Sequence, residues 1–303
     1  MTETIVIENV KDFNTDHIFD CGQCFRFEKE EDGSWIGTAF DRMINVRFEP
    51  YDGAAPGYDA GSGRLVIEGA DDAGTETLWR PYFDLDRDYG AIKKELAERD
   101  PVIEEATRCG YGIRILKQDP WETVLSFIIS QNNNIPRIKK CIESVAENFG
   151  EKIGEFRGRT FFSLPSAEKL AQLEETDLGC CRLGYRAKYI IETAKILAED
   201  KCRRLNELAS EKVSSEEAFE YISELAGVGP KVANCILLFG LSKYDRFPID
   251  VWMKRVMSDL YGFPENDLSS MADFAGKTYG KWGGIAQQYL FYFARSQGDP
   301  GRG

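Results

Sequence analysis

Apolar and polar positions alternate along the first part of the chain. From about Tyr89 onward the apolar positions recur at helical spacing instead. Alternation marks a strand with one buried face, and a repeat of three to four residues marks an amphipathic helix. Residues 4–7 open the strand series. Residues 24–27 and 34–37 flank Asp32-Gly33, a dipeptide that favours a hairpin turn. Residues 43–48 and 64–68 continue the series. Between them lies 53–63, rich in glycine and alanine and expected as a surface loop. The helical pattern predicts a buried helix over 121–129 and an amphipathic one over 135–149. Further helices are expected over 167–173, 187–198, 215–226, 230–241, 251–261 and 286–294. Strands first and helices afterwards predict an α+β fold. The expected division is an N-terminal antiparallel sheet domain over 1–100, a helical region over 101–297 and a flexible tail over 298–303.

Composition narrows the class without naming it. The 303 residues are 43% hydrophobic and 29% charged, as in an ordinary globular protein. No apolar run reaches the ~18 residues of a membrane span. Met1-Thr2-Glu3-Thr4 carries neither a basic nor an apolar signal segment. The expectation is a monomer in the cytoplasm or nucleoid (the nucleus in a eukaryote), neither secreted nor in a membrane. Eight cysteines with one histidine, His17, point to reduced thiols and away from a structural zinc site. The net charge of −13 speaks against nucleic acid, since phosphate binding usually leaves a basic footprint. Net charge describes the whole surface, however, and leaves room for a basic groove on one face. The acidic runs Glu28-Lys29-Glu30-Glu31-Asp32 and Asp71-Asp72 are expected as solvated faces and turns.

One stretch changes the picture: Leu225-Ala226-Gly227-Val228-Gly229-Pro230-Lys231-Val232-Ala233. A helix stops at a glycine, a turn holds Gly227 and Gly229, and a second helix starts with Pro230 at its first position. Backbone amides gather there with no side chain in the way, which suits a phosphate. Lys231 follows at once. Nineteen positions on, Asp250 stands where an N-cap belongs, after Phe247-Pro248-Ile249. Taken singly, Lys231 reads as a solvated lysine and Asp250 as a plain cap.

This stretch resembles the helix-hairpin-helix DNA glycosylases, which place a lysine just after the hairpin and an aspartate at the next helix start. Here Ile249 separates Pro248 from Asp250, and the glycine of the family motif is absent. Other segments resemble the 8-oxoguanine glycosylase branch. They are Ser130-Gln131-Asn132-Asn133-Asn134-Ile135-Pro136-Arg137-Ile138, Leu183-Gly184-Tyr185-Arg186-Ala187-Lys188-Tyr189, Cys21-Gly22-Gln23-Cys24-Phe25-Arg26 and the run 112–121. The resemblance runs from about Asp20 to about Phe293. It implies a helix-hairpin-helix glycosylase core behind the sheet domain, and removal of 8-oxoguanine from double-stranded DNA.

The same resemblance assigns roles. Lys231 becomes the nucleophile that holds the sugar as a Schiff base, and Asp250 the carboxylate that steadies charge developing on it. Asn132 fills the space left by the extruded base and Tyr185 wedges beside the orphaned partner. Arg137 and Arg186 bond that partner, taken to be cytosine. Gly22 offers a carbonyl to the N7 hydrogen of the lesion, Phe291 and Cys235 stack on its faces, and Gln287 reads its edge. Gly227 and Gly229 belong to the DNA-binding hairpin. Burial and the helix N-terminus are expected to lower the pKa of Lys231. No cofactor is required. A monovalent cation can sit at the hairpin carbonyls, and an iron–sulfur cluster is not expected, because no cysteine follows Cys235. Two alternatives stay open: a non-enzymatic helix-hairpin-helix DNA-binding module, and a monofunctional glycosylase for alkylated bases.

Overall fold

The computed structural model describes residues 3–51, 62–69 and 74–297. Most of the loop expected over 53–63, the pair Asp71-Asp72 and the tail 298–303 lie outside the described residues. Five antiparallel strands form the N-terminal sheet: β1 (Thr4–Val10), β2 (Phe27–Lys29), β3 (Trp35–Ala39), β4 (Arg42–Pro50) and β5 (Gly63–Glu68), in the order β1-β5-β4-β3-β2. The expected hairpin closes at Gly33, whose φ of +83° suits a glycine. Trp35 then pairs with Lys29, and Gly37 with Phe27. A side chain at Gly37 would lie 2.2 Å from the Arg26 carbonyl, so this strand position needs a glycine. Phe40 and Asp41, both with positive φ, turn β3 into β4. Under the sheet, Phe13, Phe19, Phe27, Trp79, Tyr82 and Phe83 pack into an aromatic core.

One strand begins later than the sequence pattern implies. Of 24–27, only Phe27 joins the sheet. The segment before it is drawn off by Gln23, whose side chain is buried and bonded to Ile18, Arg114 and Leu116.

Fourteen helices fill the rest of the described chain. The short α1 (Thr15–Phe19) and α2 (Arg80–Tyr82) sit beside the sheet. Then come α3 (Tyr89–Ala97), α4 (Pro101–Cys109), α5 (Pro120–Ser130), α6 (Ile135–Phe149), α7 (Ala167–Leu170), α8 (Arg186–Ala198) and α9 (Arg203–Leu208). Last are α10 (Ser215–Ser223), α11 (Pro230–Gly240), α12 (Val251–Tyr261), α13 (Leu268–Tyr279) and α14 (Gly283–Ser296). Side-chain caps define many starts: Asp100, Asp119, Asn134, Ser214, Asp250 and Asp267 each accept from an amide in the first turn. The expected helices over 167–173 and 215–226 stop short, at Leu170 and Ser223. The one over 286–294 extends from Gly283 to Ser296. At the centre α5 packs on α11, with Phe127 stacked on Phe239 at 5.4 Å and 12°.

A second sheet was not anticipated. β6 (Lys152–Phe156) and β7 (Arg159–Phe162) form a hairpin over Arg157-Gly158, both with positive φ. The acidic run is largely exposed, as expected, but several of its carboxylates also have arginine partners on this hairpin. Arg159 pairs with Glu28 and Glu30, and Arg157 with Asp32 and Glu68. These ion pairs bridge the hairpin to the first sheet across a largely exposed surface.

Candidate active site

The hairpin is built as the sequence suggests. After α10 the chain turns back through Val228 N–H to the Leu225 carbonyl, at 3.1 Å. Gly227 has φ +74°, and a Cβ there would come within 2.4 Å of the Tyr189 ring, so the position admits only glycine. Gly229 caps α11 with open space around it, Pro230 takes the first helical position and Lys231 follows. Thr193 Oγ1 donates to the Ala226 carbonyl at 3.2 Å. The Leu225 and Ala226 oxygens each keep a second lone pair, which fits a monovalent cation at this turn.

Lys231 is half-buried, with Nζ 5.7 Å from the centre of the Phe127 ring. Cys235 lies one helical turn on and is buried. Asp250 caps α12 by accepting from Met253 N–H at 2.8 Å, and its charge acts on both Lys231 and Cys235. Lys231 and Cys235 of α11 thus lie within electrostatic reach of Asp250 at the start of α12.

The protonation of Lys231 departs from expectation. The charge of Cys235 first, and then that of Asp250, raise the ammonium above the ordinary lysine range, outweighing burial. Burial in turn pushes the Cys235 thiol up against the pull of Lys231. Both shifts favour the protonated forms, a thiol beside an ammonium, and the Cys235 charge that raises Lys231 acts only once that thiol ionises. Burial and the helix N-terminus do not free the amine by themselves.

The proposed base pocket draws on both ends of the chain. Gly22, with φ +75°, faces Phe291: a Cβ there would lie 3.5 Å from the ring. Phe291 is half-buried on α14, and Gln287, one turn earlier, is buried and accepts from Gln288 Nε2 at 3.0 Å. Arg295 holds the end of α14 to this segment through the Asp20 carbonyl at 2.7 Å. What fixes the Gly22 turn escaped the sequence reading. Gln23 Nε2 donates to Ile18 at 2.9 Å and Arg114 at 2.8 Å, its Oε1 accepts from Leu116 N–H at 2.8 Å, and Gln118 donates to its carbonyl at 2.7 Å. No local pattern marks Gln23 and Gln118 as partners, since they lie 95 positions apart.

The remaining residues gather on two exposed loops. Asn132 has φ +46° in the turn after α5, and Asn134 caps α6. Arg137 is exposed, with one long bond of 3.4 Å to the Arg182 carbonyl. Tyr185 is 52% exposed just before α8. Arg186 is placed differently from Arg137: it is buried, and its donors run to the backbone carbonyls of Gln131, Asn132 and Leu183. Among the described residues no group of three or more His, Cys, Asp or Glu side chains is set to hold a metal. None of the described helices is long and apolar enough to cross a membrane.

Comparison with known proteins now decides the family. Residues 5–124 match the N-terminal domain of 8-oxoguanine DNA glycosylase, and residues 125–279 match the HhH-GPD superfamily of base excision DNA repair proteins. The chain belongs to the 8-oxoguanine DNA glycosylases of the HhH-GPD superfamily. Among relatives of this family, the N-glycosylase/DNA lyase of Arabidopsis thaliana is 32% identical over 90% of this chain and 75% of its own. The probable N-glycosylase/DNA lyase of Methanothermobacter thermautotrophicus is 37% identical over 62% of this chain, a match that spans 65% of that protein. The 8-oxoguanine glycosylase/lyase of Clostridium acetobutylicum was solved with double-stranded DNA containing cytosine opposite 8-oxoguanine. It is 40% identical, superposes with a TM-score of 0.88 and covers 99% of both chains. The sheet domain, the helical core and the hairpin of this glycosylase are thus those of its family.

Proposed function

We propose that this chain is a bifunctional DNA glycosylase and abasic-site lyase that excises 8-oxoguanine from double-stranded DNA, opposite cytosine, through a Schiff base on Lys231. What supports the reading is that Lys231 directly follows the glycine hairpin and lies within electrostatic reach of Cys235 and Asp250. A mere DNA-binding module has no use for a buried thiol and a carboxylate around its lysine. A water-using glycosylase for alkylated bases needs no amine there.

The chemistry follows from the groups present. As the N-glycosidic bond breaks, its electron pair leaves with the base and positive charge grows on the sugar, where the Asp250 carboxylate stabilises it. Lys231 Nζ must give up a proton before its lone pair can attack C1′. The acceptors at hand are the Asp250 carboxylate and the departing base. Attack forms the C1′–Nζ bond. The C1′–O4′ bond then breaks, and O4′ takes up a proton as the sugar ring opens. The iminium that results draws electrons from C2′, so that loss of the C2′ proton expels the 3′ phosphate and nicks the strand. A monovalent cation at the Leu225–Ala226 turn would add positive charge against a DNA phosphate. Lys231→Gln should abolish borohydride trapping and strand nicking while lesion-duplex binding persists. Trapping at the wild-type level in that variant would move the nucleophile elsewhere.

A further inference from the structure

Cys180 and Cys181 end a 3₁₀ turn over Asp177–Cys181 that leads directly into the Tyr185 loop. In such a turn successive side chains point about 120° apart, so the thiols of neighbours ordinarily diverge. Here they converge, with the two Sγ atoms 3.7 Å apart. Their surroundings differ. Cys180 is exposed, whereas Cys181 is 1% exposed and belongs to the helical core. Burial pushes the Cys181 thiol up to about 11, so Cys180 is the sulfur that meets a dissolved oxidant first. Neither thiol belongs to the hairpin or the base pocket, and the reaction at Lys231 does not use them.

Bridging the two requires the backbone to move. A disulfide brings its sulfurs to about 2.0 Å and ordinarily joins Cα atoms ~4.4–6.8 Å apart. Neighbours joined by a trans peptide have theirs about 3.8 Å apart. Closure must therefore shift the turn, and a bond formed under such strain is easily reduced again. Arg182 follows at once with φ +54°, and the exposed Tyr185 is three residues further on. The Arg182 carbonyl also accepts from Arg137 Nη2 at 3.4 Å and from Cys141 Sγ at 4.0 Å, bonds that a shifted turn would lose. We propose that Cys180 and Cys181 are a peroxide-sensitive pair that closes to a reversible disulfide, and that closure displaces the Tyr185 loop and slows excision of the lesion. The second half of this inference rests on the glycosylase assignment, and bond formation does not. Cys180 Sγ attacks hydrogen peroxide, whose O–O bond breaks to release water and leave a sulfenic acid. Cys181 Sγ then attacks that sulfur, the S–O bond breaks, and the hydroxyl leaves as water with the Cys181 proton. Two thiols and one peroxide thus give one disulfide and two waters.

The test treats the reduced full-length protein with hydrogen peroxide, blocks the remaining thiols by alkylation and maps tryptic peptides by mass. Residues 170–182 form one peptide that holds Cys180 and Cys181 and no other cysteine, and Cys141 falls on 141–152. The first peptide should lack two hydrogens and take up no alkyl group. Single-turnover excision of 8-oxoguanine opposite cytosine should then fall roughly tenfold or more, because small misplacements cost at least that much. Dithiothreitol should restore it. Cys180→Ser, a surface change, should excise within about twofold of reduced wild type and keep that rate after peroxide. Cys181→Ala should resist peroxide in the same way. An alkylated, unbridged 170–182 peptide after treatment overturns the proposal. So does a bond from either sulfur to Cys141, or a bridged protein with an unchanged rate. Equal inactivation of Cys180→Ser places the damage elsewhere and overturns it too. Reduced wild type that excises no lesion overturns the glycosylase assignment, while the mapped peptide still decides whether the bond forms.

Discussion

Asp250 does two jobs with one carboxylate. It caps α12 at the Met253 amide and faces the Lys231 ammonium. Asparagine caps a helix about as well as aspartate, so Asp250→Asn separates the two roles. We expect single-turnover excision to fall on the order of a hundredfold or more while DNA affinity and melting temperature change little. A rate within a few-fold of wild type would leave Asp250 as a cap only. The variant also removes one of the two groups that hold Lys231 protonated, so the rise of rate with pH should move to lower pH. At Gly22 the backbone sets the constraint, and the neighbouring ring adds only an ordinary van der Waals contact. Its φ of +75° penalises any side chain, and an added methyl would lie 3.5 Å from the Phe291 ring. Gly22→Ala should therefore reduce 8-oxoguanine excision while nicking at a preformed abasic site survives. Loss of both activities together would point to misfolding, and loss of neither would make Gly22 an ordinary turn residue.

Among the elements, α1 shows how the sheet is joined to the helices. His17 Nδ1 accepts from Gly112 N–H at 3.2 Å, and its ring lies 4.7 Å from Tyr111 and 4.9 Å from Tyr292 of α14. Burial first, opposed by Asp16, lowers its pKa from 6.5 to about 4. The unfolded chain then takes up the proton more readily than the folded one. Stability that is present above pH 6.5 is lost as the pH falls toward 4. Each pH unit in that window costs about 1.4 kcal/mol, so roughly 3 kcal/mol is at stake. Glu122 works in the opposite sense: burial raises its pKa to about 7, and its contribution is lost as pH rises. The informative quantity is therefore a difference. In denaturant titrations between pH 7 and pH 4, His17→Gln should lose less stability than wild type by up to about 3 kcal/mol. Equal slopes would mean that His17 protonates as easily in the fold as outside it. Element by element, the sequence was most readable where a cap and a strong apolar repeat coincide, as in α6 and α12. It was least readable in the β6–β7 hairpin, whose turn is Arg157-Gly158 and not Asn-Gly or Asp-Gly. The α13 helix was missed although Asp267 caps it and Leu268, Met271, Ala275 and Tyr279 lie on one stripe.

For the whole molecule, the charge of −13 does not prevent binding to a polyanion, because the proposed DNA-facing loops carry Arg137, Arg182 and Lys188 in exposed positions. Many of the carboxylates are engaged elsewhere, as at the β6–β7 hairpin. Affinity for a lesion duplex should fall steeply with salt, the logarithmic slope being about −0.9 for each phosphate contacted. A flat dependence would exclude phosphate contacts as the source of affinity. The sequence alone determined the local devices: the glycine turn, Pro230 at a helix start, Lys231 just after it and Asp250 as a cap. These depend on backbone conformations and hydrogen bonds that span only a few residues, so they can be read in order along the chain. The tertiary structure decided what they face. It brought Asp250 within electrostatic reach of Lys231, set Gly22 against Phe291 from the far end of the chain, and buried Arg186 against the backbone carbonyls of the turn after α5. It also reversed the expected shift of Lys231, because the charge on an amine is set by the neighbours that a packed core brings to it, and those neighbours lie beyond the reach of any local pattern.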